Sequence, residues 1–294
     1  MTAFVFLIGN GRSGSSLVHE LLASHSEVGF VSNLEDRLPW LPAGAGRFNN
    51  ALYRRVPPAL TRKGRPRYAP SEAYRALALQ VSPMVANSSR DLLASDAMPW
   101  VARQFRSFFS DRALVQGKPL FLHKFTGWPR TGFIRAVFPD ARFIHILRDG
   151  RAAVASEIRT SWWGGYRGPE HLGVGPLPPA YAKEWEASGR SFPMLSAQSW
   201  KIVMDAYAEA RALVPREQWL DVRFEDVLAD PHSRFNEMLE FMGLEEDGTF
   251  AAALARTRFS GDRRDAFRRD LHPATIAKLE ASLADHLRLW GYDL

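Results

Sequence analysis

An α/β fold with a central parallel sheet flanked by helices is predicted by three apolar, strand-like segments, two of which lead through a polar turn into a helical pattern. They are Phe4 to Ile8, Pro119 to Lys124 and Arg142 to Leu147. The first is followed by Gly9-Asn10-Gly11-Arg12-Ser13-Gly14-Ser15-Ser16 and the helical run Leu17 to Ala23, and the third by Arg148-Asp149-Gly150-Arg151 and the helical run Ala152 to Ile158. Continuous β-branched and aromatic runs are the signature of strands buried on both faces. Their alternation with helical patterns favours one parallel-sheet layer structure.

The first unit is a phosphate-binding strand, loop and helix. Successive backbone N–H groups of a glycine-rich turn and the N-terminus of the following helix together favour an anion. Gly9 and Gly14 have the spacing of a Walker A loop, which defines a P-loop NTPase-like core, but Ser15 stands where that loop carries its lysine. A nucleoside triphosphatase uses that lysine on the β and γ phosphates, so its absence counts against a P-loop kinase or NTPase. The positive charge has moved into the loop as Arg12, whose planar fork of donors suits a terminal anionic group.

In the third unit Arg148 stands at the carboxyl end of its strand, the edge where open α/β sheets bind ligands. Ser156 follows about two helical turns later. An arginine and a hydroxyl in this arrangement can hold one phosphate.

Together these motifs resemble the sulfotransferases that use 3′-phosphoadenosine 5′-phosphosulfate (PAPS). Arg12-Ser13-Gly14-Ser15-Ser16 is similar to the family's loop for the 5′-phosphosulfate, and Arg148 with Ser156 to its 3′-phosphate unit. Val222-Arg223-Phe224-Glu225-Asp226-Val227, Asp230-Pro231, Phe241-Met242-Gly243-Leu244 and Leu289-Trp290-Gly291-Tyr292 extend the likeness in the family's order. The resemblance implies sulfuryl transfer from PAPS to a hydroxyl or amine of a small-molecule or glycan acceptor, with PAP as product and no metal. It also implies that Gly11, with the loop residues 12 to 16, lines the donor site, and that a segment containing Ser260, Gly261 and Arg263 covers the nucleotide. A non-catalytic nucleotide-binding protein is the reading from another class.

Three residues are expected to carry the chemistry. Arg12 and the loop amides clamp the sulfate and phosphate, and the resemblance places Lys124 at the bridging oxygen of the leaving group. Cytosolic aryl and steroid sulfotransferases have a histidine two residues after that lysine, where this chain has Thr126. Other members use a glutamate shortly after the first helix, and Glu35 in Ser32-Asn33-Leu34-Glu35-Asp36 stands there, with Asp36 in reserve. Partial burial or a nearby anion raises a carboxylate's pKa toward that of a useful base. His25, His123 and His145 read as packing residues, His123 because neighbouring strand residues point to opposite faces.

Composition agrees with this reading. The chain has 294 residues, 46% of them hydrophobic, enough for a large core. A net charge of +6 suits an anionic donor or acceptor. Nucleic acid is not expected as a partner, because no binding motif accompanies the basic stretch from Tyr53 to Tyr68. No apolar run approaches the ~20 residues of a membrane span. The absence of cysteine and a strand beginning near Met1 point to a cytoplasmic protein. One domain over residues 1–294 is expected, with insertions near 36–115 and 160–196 forming the acceptor site and lid. Trp162 and Trp163 are candidates to cover a ligand there.

Overall fold

A computed structural model describes residues 2–55, 68–261 and 265–294. Its centre is a five-stranded, all-parallel sheet in the order β2-β3-β1-β4-β5. The strands are β1 (Ala3–Gly9), β2 (Val28–Gly29), β3 (Leu120–Thr126), β4 (Arg142–Leu147) and β5 (Trp219–Arg223). The three strands expected from the sequence are the three at the middle of the sheet. Residues 56–67 of the basic stretch from Tyr53 to Tyr68, where no nucleic-acid partner is expected, and Arg263 lie outside the described residues.

The period of two along each strand sends successive side chains to opposite faces, so both faces need an apolar cover. On one face Phe6, Ile8, Phe121, Phe125 and Phe143 pack beneath the helices Pro99–Gln116, Phe192–Leu213 and Pro273–Leu289. On the other, Val5, Leu7, Leu122, Ile144 and Ile146 pack beneath Ser15–Leu22, Pro231–Met242 and Gly248–Arg256. Each fully buried side chain of this kind contributes roughly 1.5–3 kcal/mol. His123 belongs to the first face, between the rings of Phe109 and Phe125, while its neighbour Lys124 points the other way. His145 is likewise a core residue, stacked on Tyr207 and hydrogen-bonded to Asp221.

The pairing register aligns the carboxyl ends of the central strands. Gly9 pairs with Thr126 on one side and Ile146 on the other, and Leu7 pairs with Lys124. From β1 the chain crosses toward β2, whereas from β3 it crosses to β4 on the far side. Such a reversal opens a crevice at the carboxyl edge. Among the described residues, no helix is long and apolar enough to cross a membrane.

Candidate active site

The crevice opens into a cavity of about 1140 Å³ whose lining includes Gly11, Arg12, Gly14, Ser15, Ser16, Glu72, Lys124, Arg148 and Ser260. Its floor is the loop after β1. Arg12 and Gly14 both adopt left-handed backbone conformations, with φ of 66° and 88°. Gly14 also precedes the first helix without any side-chain cap; the Leu17 N–H donates to the Gly14 carbonyl, and the Ser15 and Ser16 amides at the helix start are positioned for an anion. Ser13 is buried under the loop and is not among the cavity-lining residues.

Gly14 has a second reason to lack a side chain. A Cβ there would lie 2.4 Å from the Phe224 ring, on which the loop rests. Gly14→Ala is therefore expected to destabilise the protein by at least ~1–3 kcal/mol, the usual cost of a strained backbone position. It should also abolish PAP binding, which thermal unfolding and calorimetry on the same sample would measure together.

Three of the expected donor residues form one hydrogen-bonded group. Arg12 Nε donates to Ser156 Oγ at 2.9 Å, and Arg148 Nη1 donates to the Arg12 carbonyl at 2.8 Å. Arg148 also lies 5.8 Å from the centre of the Phe224 ring, over its face. Ser260 lines the cavity beside Arg258, which sequence reasoning missed, whereas Gly261 is not among the lining residues.

A second chain of contacts runs across the sheet edge. Lys124 Nζ donates to Ser16 Oγ at 2.7 Å and is 2.5 Å from a Glu72 carboxylate oxygen. That same oxygen accepts from Thr126 Oγ1 at 2.8 Å. The Tyr74 hydroxyl fixes the segment by accepting from Thr126 N–H and donating to the Thr126 carbonyl. Burial and the neighbouring Glu72 carboxylate raise the Tyr74 phenol well above its ordinary value, which keeps it a donor. Thr126, standing at the family's histidine position, is thus linked to a carboxylate that comes from residue 72.

Glu35, expected to serve as base, is not brought into this group. Its carboxylate accepts from Ser32 N–H and Oγ, Asn49 Nδ2 and Arg112 Nε, and the ion pair with Arg112 is almost fully buried, with both side chains 2% exposed. The physical reason is a capping box: Ser32 and Glu35 close the N-terminus of the helix Asn33–Arg37 on each other. The Ser-x-x-Glu spacing was the sequence signal for this role. Asp36 caps another helix through the N–H groups of Arg75 and Ala76, although it also lines a 300 Å³ recess beside Glu72 and Lys124. Glu72 was missed because it lies in an insertion without a motif.

The insertions expected near 36–115 and 160–196 contribute Ala86 to Ser89, Trp162 and Leu172 to Val174 to the cavity wall. Trp162 is 60% exposed at that wall, whereas Trp163 is buried and packs on Phe192. Among the described residues, no group of three or more His, Asp or Glu side chains is arranged to hold a metal ion.

Comparison with known proteins agrees with the geometry. The sulfotransferase family model matches residues 4–248, and the chain belongs to that family. Membership makes it a sulfotransferase, an enzyme that transfers a sulfuryl group. No curated protein matches the chain. Among solved structures, the fold is similar to sulfotransferase STF9 from Mycobacterium avium, with TM-score 0.60 and 15% identity over 100% of this chain and 78% of that one. Sulfotransferase STF1 from Mycobacterium tuberculosis H37Rv gives 0.54 and 16% over 97% and 77%. The sulfotransferase domain from the curacin biosynthetic pathway gives 0.54 and 14% over 100% and 99%.

Proposed function

We propose that Glu72, Lys124 and Arg12 carry out the transfer and that the acceptor is a small molecule bearing a hydroxyl or amine. The observation that carries this reading is the chain Ser16, Lys124, Glu72, Thr126 at the carboxyl edge of the sheet. An acceptor O–H or N–H placed against Glu72 gives its proton to the carboxylate as the acceptor atom bonds to sulfur. The bond from sulfur to the bridging phosphate oxygen breaks, and that oxygen leaves with the electron pair beside the Lys124 ammonium. Arg12 and the loop amides steady the anionic oxygens as charge redistributes.

Arg148 and Ser156 serve the 3′-phosphate in this reading, and Ser260 and Arg258 lie toward the nucleoside. The segments at 86–89 and 172–174 form the acceptor wall. Long insertions in compact enzymes commonly serve as binding loops or lids.

Calorimetry with PAP, ATP and GTP tests the donor assignment. PAP is expected to bind tightly without magnesium and the triphosphates weakly; preference for a triphosphate would sink it. Arg148→Ala should weaken PAP by about 1.5–3 kcal/mol, roughly 10- to 150-fold, for a lost charged hydrogen bond. Unchanged PAP affinity in the folded variant would remove Arg148 from the donor site. Labelled PAPS offered to a panel of alcohols and amines identifies the acceptor, and transfer to none of them would favour a protein that binds nucleotide without catalysis.

A further inference from the structure

Beyond Gly11 the cavity has a wall that the transfer chemistry does not use. Trp128, Leu172, Val174 and Val203 supply apolar surface, and Glu157 supplies a carboxyl group. The absence of a side chain at Gly11 leaves room there: a Cβ would stand 3.5 Å from Glu157 Oε1 and 3.7 Å from the Trp162 ring. The other oxygen, Oε2, accepts from the fully buried Ser196 Oγ at 2.5 Å, which fixes the carboxyl group with Oε1 toward Gly11.

We propose that this lobe recognises the acceptor, with the apolar wall taking an aromatic or aliphatic body and Glu157 taking an ammonium group carried by it. The proposal rests on the sulfotransferase reading and names the acceptor class within it. Glu157 supplies the charge at this wall. Arg12, Lys124, Arg130, Arg148 and Arg258 line the cavity together with Glu20, Glu72 and Glu157, so the cavity is basic until the phosphates and sulfate of the donor offset the arginines and Lys124. With the donor bound, the carboxyl group of Glu157 faces the acceptor space beside apolar side chains. An anionic acceptor would add like charge to this wall, whereas an ammonium gains a partner already held in position.

The state of Glu157 agrees with this role. Burial pushes its carboxyl group up to about 7, against the Ser196 hydrogen bond and the Arg12 charge that hold it down. A cation bound beside it recovers the stabilisation that burial removes from the ionised form. Val203 lies on the helix Phe192–Leu213 that also carries Ser196, so this part of the apolar surface and the anchor of the carboxyl group share one support.

Three matched probes test the proposal: 4-(aminomethyl)benzyl alcohol, 4-methylbenzyl alcohol and 4-(hydroxymethyl)benzoate, titrated at pH 8 into the free and the PAP-loaded protein. The ammonium probe is expected to bind the PAP-loaded protein at least tenfold more tightly than the benzoate, with the methyl probe between them. Glu157→Gln should bring the three within about threefold of one another, while Trp162→Ala should weaken all three without changing their order. PAP affinity, measured first on each variant, reports that the site is folded. Equal binding, tighter binding of the benzoate, no binding of any probe, or an ammonium preference that survives Glu157→Gln would overturn the proposal. Failure of the donor assignment appears separately, as absent PAP binding, and the probes added to the free protein still read the lobe.

Discussion

Glu72→Gln is expected to lower turnover by roughly 10²–10⁴, the range of general-base catalysis, while PAP affinity stays within a few-fold of the original. Glutamine keeps the size of the side chain and a carbonyl oxygen for Thr126, but it cannot take a proton from the acceptor. Lys124→Ala should also lower turnover, because the leaving oxygen loses the ammonium beside it. The double variant should lose less than the product of the two single losses, since Glu72 and Lys124 touch each other and act in one transition state. Single-turnover transfer from labelled PAPS measures all three. A Glu72→Gln enzyme with near-original turnover would return the base to another group of the cavity.

The centre of the fold was legible because its strands are buried on both faces and therefore read as nearly continuous apolar runs, as in Val5 to Ile8 and, interrupted only by His145, Phe143 to Leu147. The edge strands were not. β2 is two residues long, and β5, Trp219-Leu220-Asp221-Val222-Arg223, mixes charged residues into its run because it has only one neighbour. The loop proposed to hold the donor is compact in sequence for a related reason: a phosphate loop must be contiguous, so its glycines, Arg12 and the two serines fall together.

The proposed acceptor side is assembled differently. Glu72 reaches Lys124 and Thr126 from 52 and 54 residues away, so periodicity within a short window cannot reveal it. Glu157 stood beside a residue already singled out, Ser156, yet its role depends on Ser196 and Gly11, which only the packing of the helix Phe192–Leu213 brings near. The expectation for Glu35 weighed its place after the first helix above its own local chemistry. Ser32 three residues before it specified a cap.

That local chemistry yields the largest expected effect on stability. Glu35→Gln leaves the buried Arg112 guanidinium without its ion-pair partner, since its remaining hydrogen-bond acceptors, the Phe108 carbonyl and the Gln80 side-chain oxygen, are neutral and only the more distant charge of Asp111 remains to offset it. Breaking a buried pair in this way costs about 3–5 kcal/mol. In a chain of this size the melting temperature should fall by about 10 °C, at roughly 2–4 °C per kcal/mol. Arg112 lies 3.8 Å over the Phe108 ring, a contact that a methionine at that position can replace with a sulfur–aromatic one. Glu35→Leu combined with Arg112→Met should therefore recover part of the lost stability, because an apolar pair of similar volume removes both desolvated charges at once, while the Ser32 and Asn49 donors that lose the Glu35 acceptor keep the recovery incomplete. Turnover of the folded double variant should stay within a few-fold of the original, measured by transfer from labelled PAPS below its melting temperature. A double variant that is stable and binds PAP but transfers nothing would assign the base to Glu35 after all, and Glu72 would then be a partner that positions Lys124.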